Sequence, residues 1–174
     1  MGLQYNLALI YLGQERMQEA YDTLLNCADT YGESLRLTRM LGDIQYIHGK
    51  RLDALKWYKA ALEDSPDAKE AKLISLRVLV LEDEQRYQKV LANQADVEQA
   101  RLLFSTKPDQ ALALYLRVVE DDPSHVEALN NLGSLYLDEF DDAKRAESYF
   151  EQVLELVDST AAAKNLAKAR KVKS

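Results

Sequence analysis

The chain has 174 residues, of which 47% are hydrophobic and 29% charged, a balance that suits one domain and argues against a membrane-spanning protein. Only 6 glycines and 3 prolines occur, which favours long helices over many short strands. The formal net charge of −7 argues against nucleic acid as a partner.

The first part of the chain repeats itself at an interval of 34 residues. Leu7 is matched by Leu41, and further pairs at this interval are Ala20 with Ala54, Leu24 with Tyr58, Cys27 with Ala61, and Gly32 with Pro66. This agreement predicts two helix–turn–helix units, over about residues 1–34 and 35–68. The first helix, at residues 3–12, is apolar around much of its circumference and begins without a polar cap.

The middle of the chain departs from this interval. Pro66 and Pro123 are 57 residues apart, which accommodates one regular unit and one shortened unit. We expect an irregular unit at about 69–91 and a regular one at about 92–125, with helices at about 67–82, 84–93, 95–105 and 108–121. Two Ser/Thr-x-x-acid patterns, which start at Thr106 and Ser124, predict helix N-caps.

The pattern returns near the carboxyl end of the chain. Leu132-Gly133-x-x-Tyr136 repeats the small-residue motif, and Ala146 and Phe150 follow one residue late. These positions predict a unit over about 126–159, with a one-residue insertion near residues 139–142.

A final helix is predicted at about 160–172, with an apolar line formed by Ala162, Leu166, Ala169 and Val172. Five of the 22 basic residues lie at positions 164–174, where no acidic residue occurs, and the other 17 share the rest of the chain with 29 acidic residues. Two interpretations are open. The helix caps the apolar side of the last unit, or it projects as a basic segment towards an acidic protein or membrane surface.

Together these motifs resemble the tetratricopeptide repeat family, whose unit is a helix–turn–helix of about 34 residues. The resemblance covers residues 1–68 and 109–158, with Gln4, Thr38 and Leu129 at the family's tryptophan position. It implies an all-α fold, namely an α-solenoid of antiparallel helix pairs in a right-handed superhelix, with about ten or eleven helices in a single domain.

The repeated residue types then have mechanical roles. Ala8, Gly42 and Gly133 allow the two helices of a unit to approach closely, as do the alanines of the second helices, Ala20, Ala54, Ala111 and Ala146. We expect Tyr11, Tyr58, Tyr115 and Phe150 to fill the space between neighbouring units.

The resemblance also implies a protein–protein interaction module or scaffold, which holds a peptide or helix of a partner in a concave groove. In the family, the first helix of each unit lines this groove. The partner-binding residues predicted there are Tyr5, Asn6, Leu9, Arg36, Arg39, Asp43, Tyr46, Asn130, Asn131 and Ser134, and Met40 and Glu127 are expected on the same face.

Two chemical features of this groove leave alternatives open. The amides of Asn6 and Asn131 match the donor and acceptor of a peptide bond, or else they are simply exposed to solvent. Arg36 and Arg39 favour an acidic segment in the partner, or else they form an ordinary solvated pair.

No motif for catalysis or metal binding accompanies the repeats. His48 and His125 are isolated, and Cys27 takes a core position matched by Ala61, so neither a zinc site nor a nucleophile with a base is indicated. Acidic pairs such as Asp121-Asp122 and Asp141-Asp142 fall at turns and do not continue into a calcium-binding loop, so we expect solvated charges.

We therefore expect no enzyme activity, no catalytic residue, no metal and no cofactor. A single cysteine fits the cytoplasm or another reducing compartment, and no signal peptide pattern is present. The first alternative is a structural solenoid that self-associates through its N-terminal helix, or a fragment of a longer repeat protein. An enzyme is the distant alternative.

Overall fold

The computed structural model describes residues 2–172, which contain eleven α-helices and no strand. The helices are α1 (Gly2–Gly13), α2 (Met17–Tyr31), α3 (Leu35–Ile47), α4 (Arg51–Glu63), α5 (Ala68–Glu82), α6 (Glu84–Ala92), α7 (Gln94–Leu103), α8 (Pro108–Asp121), α9 (Val126–Asp138), α10 (Ala143–Leu156) and α11 (Thr160–Val172). Within the described residues, the predicted all-α fold class and the expected number of helices are confirmed. The chain forms two compact units, which divide after Asp67.

The first unit consists of two helix hairpins. Helix α1 packs on α2, α3 packs on α4, and α2 joins the pairs by packing on α3. The buried core includes Ala8, Leu24, Cys27, Leu41 and Trp57. Four of these residues, all except Trp57, stand at positions that repeat at the 34-residue interval. The interval therefore predicted side chains that are buried in the core.

The second unit contains two regular hairpins, α7–α8 and α9–α10, with α8 packed on α9 and α11 packed on α10. Tyr115 and Phe150 are fully buried in its two apolar clusters. Burial of such large rings stabilises the unit by roughly 2–3 kcal/mol each.

Glycine sets the helix separation within two of the pairs. A Cβ atom on Gly42 would lie 2.7 Å from ring carbons of Tyr58, so the predicted close approach is confirmed. Tyr58 and Phe150 each pack against the glycine of their own hairpin, and their expected place between neighbouring units stays a prediction. Tyr115 does reach the next hairpin, where its hydroxyl accepts a hydrogen bond from Asn131.

The irregular segment does not stack as one more hairpin. Helix α5 packs on α10, far away in the sequence, and α6 packs on α8. Lys69 forms an ion pair with Asp158, Lys72 forms one with Glu155, and the buried Leu73 belongs to the α10 cluster. Helix α5 therefore braces the end of the α9–α10 hairpin, which the repeat interval did not predict.

Two predicted N-caps were wrong. Helix α8 starts with Lys107 at its N-cap position and has no side-chain cap, so Thr106 does not serve. At α9 the cap is His125, whose Nδ1 accepts the N–H of Ala128 at 3.2 Å. Ser124 is buried instead and donates its hydroxyl to Asp122, 2.6 Å away.

The same turn corrects the expectation of solvated charge at Asp121-Asp122. Asp122 is only 3% exposed, and its carboxylate accepts both the N–H and the hydroxyl of Ser124. Asp121 accepts a hydrogen bond from the amide of Asn93 at 2.8 Å. Both carboxylates therefore brace a turn.

The last helix packs as a cap. Ala162, Leu166 and Ala169 are buried against α10. Val172 was predicted to continue this apolar line, but it is 61% exposed and does not. Its basic side chains meet acidic residues of the same unit, because Lys168 pairs with Asp138 and Arg170 pairs with Glu147 and Glu151. Lys173, the last of the five predicted basic residues, lies outside the described residues.

Candidate partner-binding surface

A pocket of about 250 Å³ lies between α1 and the start of α3 in the first unit. Four of the predicted partner-binding residues line it, namely Tyr5, Asn6, Leu9 and Arg36, and the others that line it are Gly2, Ser34 and Leu37. The α1 residues share one helix face because positions 2, 5, 6 and 9 follow the helical repeat. We call this site the α1–α3 pocket.

The guanidinium of Arg36 lies over the ring of Tyr5, with 4.2 Å between Cζ and the ring centroid. A contact of this kind at an exposed site contributes about 0.5–1 kcal/mol and holds the cation in place. Among residues 2–172, no carboxylate forms an ion pair with Arg36. The pocket thus combines an apolar wall with a fixed positive charge that the described part of the chain leaves unneutralised.

Arg39 differs from Arg36 although both were predicted to face an acidic ligand. Its Nε lies 3.9 Å from the Oδ2 of Asp43, on the same helix. The other oxygen of Asp43 accepts a hydrogen bond from the hydroxyl of Tyr58 at 2.8 Å. Arg39 and Asp43 therefore belong to an internal polar network, and some of their hydrogen-bonding groups are already engaged within the protein and not open to a ligand.

Tyr46 is a packing residue. It is 7% exposed, and its ring lies tilted against that of Tyr58, with the centroids 6.2 Å apart. We correct the predicted groove by removing Tyr46 from it. Met40, also expected on this face, is half-buried and packs against the core of the first unit.

The second unit holds the other three predicted residues, Asn130, Asn131 and Ser134, all on α9. Asn131 donates from Nδ2 to the hydroxyl of Tyr115 at 2.9 Å, so its amide is engaged within the unit. The Oδ1 of Asn130 is buried and has no hydrogen-bond partner. Ser134 is half-buried. In contrast to exposed Asn6, this α9 surface offers few free polar groups.

Arg101 is a residue of this face that sequence reasoning missed. Its Nε and Nη2 each lie 2.6 Å from an oxygen of Glu127, and its Nη1 lies 2.6 Å from Glu98. The hydrogen bonds from Arg101 lower the pKa of Glu127 below its ordinary value. Burial raises the pKa of Tyr115 nearby. Because Arg101 and Glu127 are 26 positions apart, no local pattern could have paired them.

The residues that might have supplied chemistry have structural positions. Cys27 is buried in the core, and His48 and His125 lie at the end of α3 and the start of α9. In the described part of the chain, no three His, Cys, Asp or Glu side chains are grouped so that they could hold a metal ion. Of the helices within residues 2–172, none has the length and apolar character to cross a membrane.

Comparison with known proteins gives a partial family match. Residues 100–163, from the end of α7 to the start of α11, match the family model for the tetratricopeptide repeat. No curated protein matches the chain in sequence.

Two solved structures are similar over most of the chain. One is YrrB, a TPR protein with an unusual peptide-binding site, at 20% identity and a TM-score of 0.40, over 95% of this chain and 73% of that one. The other is a tetratricopeptide repeat protein from Parabacteroides merdae, at 21% identity and a TM-score of 0.41, over 99% of this chain and 59% of that one. The chain thus spans less than two thirds of the second structure.

Proposed function

We propose that this chain, which carries tetratricopeptide repeats, is a protein-interaction module that binds a short segment of another protein in the α1–α3 pocket. The repeat itself is in general a non-enzymatic interaction fold. The observation that carries the proposal is the guanidinium of Arg36, which is stacked on Tyr5 beside an open apolar pocket and has no carboxylate partner among residues 2–172.

The chemistry of the pocket suggests the kind of segment it takes. A carboxylate of the partner would pair with Arg36 through charge-assisted hydrogen bonds. An apolar side chain next to it would pack against Leu9, which is 42% exposed, and against the pocket wall at Leu37. The exposed amide of Asn6 can donate to and accept from the backbone of the segment without reading its side chains.

The α9 surface is the weaker candidate for the same role. Arg101 is neutralised by Glu127 and Glu98, and Asn131 is bonded to Tyr115. A ligand that bound there would have to break these internal ion pairs and hydrogen bonds, or bind only to the parts of Arg101 and Asn131 that they leave open. We therefore place the partner on the first unit and give the α9 surface a structural role.

The remaining features support a role as an adaptor or scaffold in a reducing compartment. Cys27 is free and buried in the core, where oxidation to a disulfide would require the core to open. The positions of Cys27 and of the two histidines favour the absence of catalysis, because the thiol is buried in the core whereas His48 and His125 lie at helix ends.

A selection from a random peptide library displayed on phage tests this proposal. We expect the immobilised chain to enrich peptides with Asp or Glu next to an aliphatic or aromatic residue. Their affinity should fall at least about tenfold with Arg36→Glu, since loss of a charge-assisted contact and a new repulsion each weaken binding. Lys50→Glu, the same charge reversal at an exposed residue of the first unit, is the matched control and should leave affinity nearly unchanged.

Three outcomes would count against the proposal in different ways. A library that yields no binders contradicts a peptide-binding role. Binders without acidic residues contradict the assigned chemistry. Acidic binders that respond equally to Arg36→Glu and Lys50→Glu contradict the assigned pocket.

A further inference from the structure

Ser34 stands at the N-cap position of α3 but does not cap that helix. Its backbone is extended, as is usual at an N-cap, yet its side chain makes no capping hydrogen bond. The N–H of Leu37, three positions further on, donates to the carbonyl oxygen of Ser34 at 2.9 Å and not to its hydroxyl. At the start of α11, by contrast, the hydroxyl of Ser159 accepts the N–H of Ala162 at 3.2 Å. The two serines therefore have different roles.

The capping role at α3 is taken by Asp64, the C-cap residue of α4. Its Oδ2 accepts the N–H of Leu35, the first residue of α3, although the two residues are 29 positions apart. A carboxylate is unfavourable at the C-terminus of a helix and favourable at an N-terminus, so the contact with α3 accounts for the acidic residue at this position. A charged acceptor also binds an N–H more strongly than a hydroxyl does. The first turn of α3 is therefore held by a side chain of α4.

This arrangement leaves the hydroxyl of Ser34 available at the α1–α3 pocket. Ser34 lines that pocket together with Arg36, and it is half-buried. Within residues 2–172, its side chain has no hydrogen-bond partner. A serine hydroxyl can both donate and accept, so an unpartnered one at the edge of a pocket can bind a polar group of a ligand. Its neighbour in the pocket is the guanidinium of Arg36, whose charge no carboxylate of the described chain neutralises.

We propose that Ser34 is a specificity-determining residue of the pocket, whose hydroxyl donates to the partner's carboxylate beside Arg36, and that Asp64 is the positioning residue that keeps this hydroxyl available. The inference rests on the proposed function, because it concerns the same pocket and the same acidic segment. While Asp64 caps α3, the hydroxyl is not needed for the cap. Without Asp64, the hydroxyl should turn to cap α3, as that of Ser159 caps α11, and leave the pocket.

Fluorescence anisotropy with the full chain and an acidic peptide from the library selection tests this coupling. Ser34→Ala should weaken binding about three- to tenfold, the effect of one lost hydrogen bond to a charged group. Asp64→Ala should weaken it by a similar factor. The double variant Ser34→Ala/Asp64→Ala should bind no worse than Asp64→Ala alone, because the hydroxyl has already left the pocket. Asp64→Asn keeps an oxygen that can accept the N–H of Leu35, so its affinity should stay within about twofold of the wild type.

Glu63→Ala is the matched control, since it removes the same charge at the neighbouring exposed residue, and it should bind the acidic peptide at least as tightly as the wild type. Losses that multiply in the double variant, or an Asp64→Asn as weak as Asp64→Ala, overturn the inference. So does wild-type affinity in Ser34→Ala when Arg36→Glu loses binding, a result that leaves the proposed function standing. Wild-type affinity in Arg36→Glu overturns the proposed function and this inference with it.

Discussion

A Cβ atom placed on Gly133 would lie 2.6 Å from Cε1 of Phe150 and 2.8 Å from two further ring carbons. Because the ring is fully buried, it has little room to move away. Gly133→Ala should therefore destabilise the second unit by about 1–3 kcal/mol, as overpacking of a filled core does.

Chemical denaturation measures this change, and Gly13→Ala is its control. Gly13 ends α1, where an added Cβ would meet no atom within 4 Å. An alanine there should be neutral or slightly stabilising, by up to about 1 kcal/mol. Equal effects of the two substitutions would show that the α9–α10 contact is not as tight as described.

The brace formed by α5 can be tested at two leucines of the same helix. Leu73 is 3% exposed and packs in the α10 cluster, whereas Leu79 is 57% exposed. Leu73→Ala should cost about 2–4 kcal/mol in the free energy of unfolding, because it leaves a cavity. Leu79→Ala should cost less than about 0.5 kcal/mol. If the two variants unfold alike, α5 does not pack on α10.

The helix hairpins were predictable from the sequence, whereas the α5 brace was not. Gly42 and Tyr58 lie on either side of one short turn, at positions that the 34-residue interval matches with Ala8 and Leu24, so a local pattern reveals their contact. Leu73 meets α10 across a long stretch of sequence, where no periodicity connects them. The site divides in the same way. The helical spacing of Tyr5, Asn6 and Leu9 predicted one face, but whether Arg36 or Arg39 forms an ion pair depended on which acidic residue lay within reach.

The ion pair between Arg101 and Glu127 should make the free energy of unfolding depend on pH in the acid range. The pKa of Glu127 is lowered in the folded state, so the pair's contribution is present above the ordinary glutamate pKa of 4.5 and is lost as pH falls through the lower folded value. Both side chains are more than a third exposed, so we expect less than about 1 kcal/mol.

Urea unfolding of the wild type and of Glu127→Gln, each at pH 7 and in the acid range, measures this dependence. The quantity compared is the stability that each protein loses on acidification. The wild type should lose more stability on acidification than Glu127→Gln does, since the variant has no carboxylate at this position to protonate. A larger acid-induced loss in Glu127→Gln would contradict the assigned direction of the pKa shift.

Removal of residues 160–174 separates a capping role for α11 from a recruitment role. The truncation should expose Val153 and Leu156, now 1% and 3% exposed, and lower stability by roughly 2 kcal/mol or more. Lys168→Gln combined with Arg170→Gln keeps the apolar line and removes only exposed ion pairs, so it should cost less than about 1 kcal/mol. A truncated chain that melts like the wild type contradicts the capping role.

The central claim, that a partner segment binds in the α1–α3 pocket, is tested most directly by hydrogen–deuterium exchange with and without a peptide from the library selection. We expect the bound peptide to slow amide exchange in α1 and in the first turns of α3, around Arg36, and to leave α9 around Asn131 unchanged. The protection should disappear with Arg36→Glu and persist with Lys50→Glu. Protection confined to α9, or spread over α1 and α3 but unaffected by Arg36→Glu, would contradict the account.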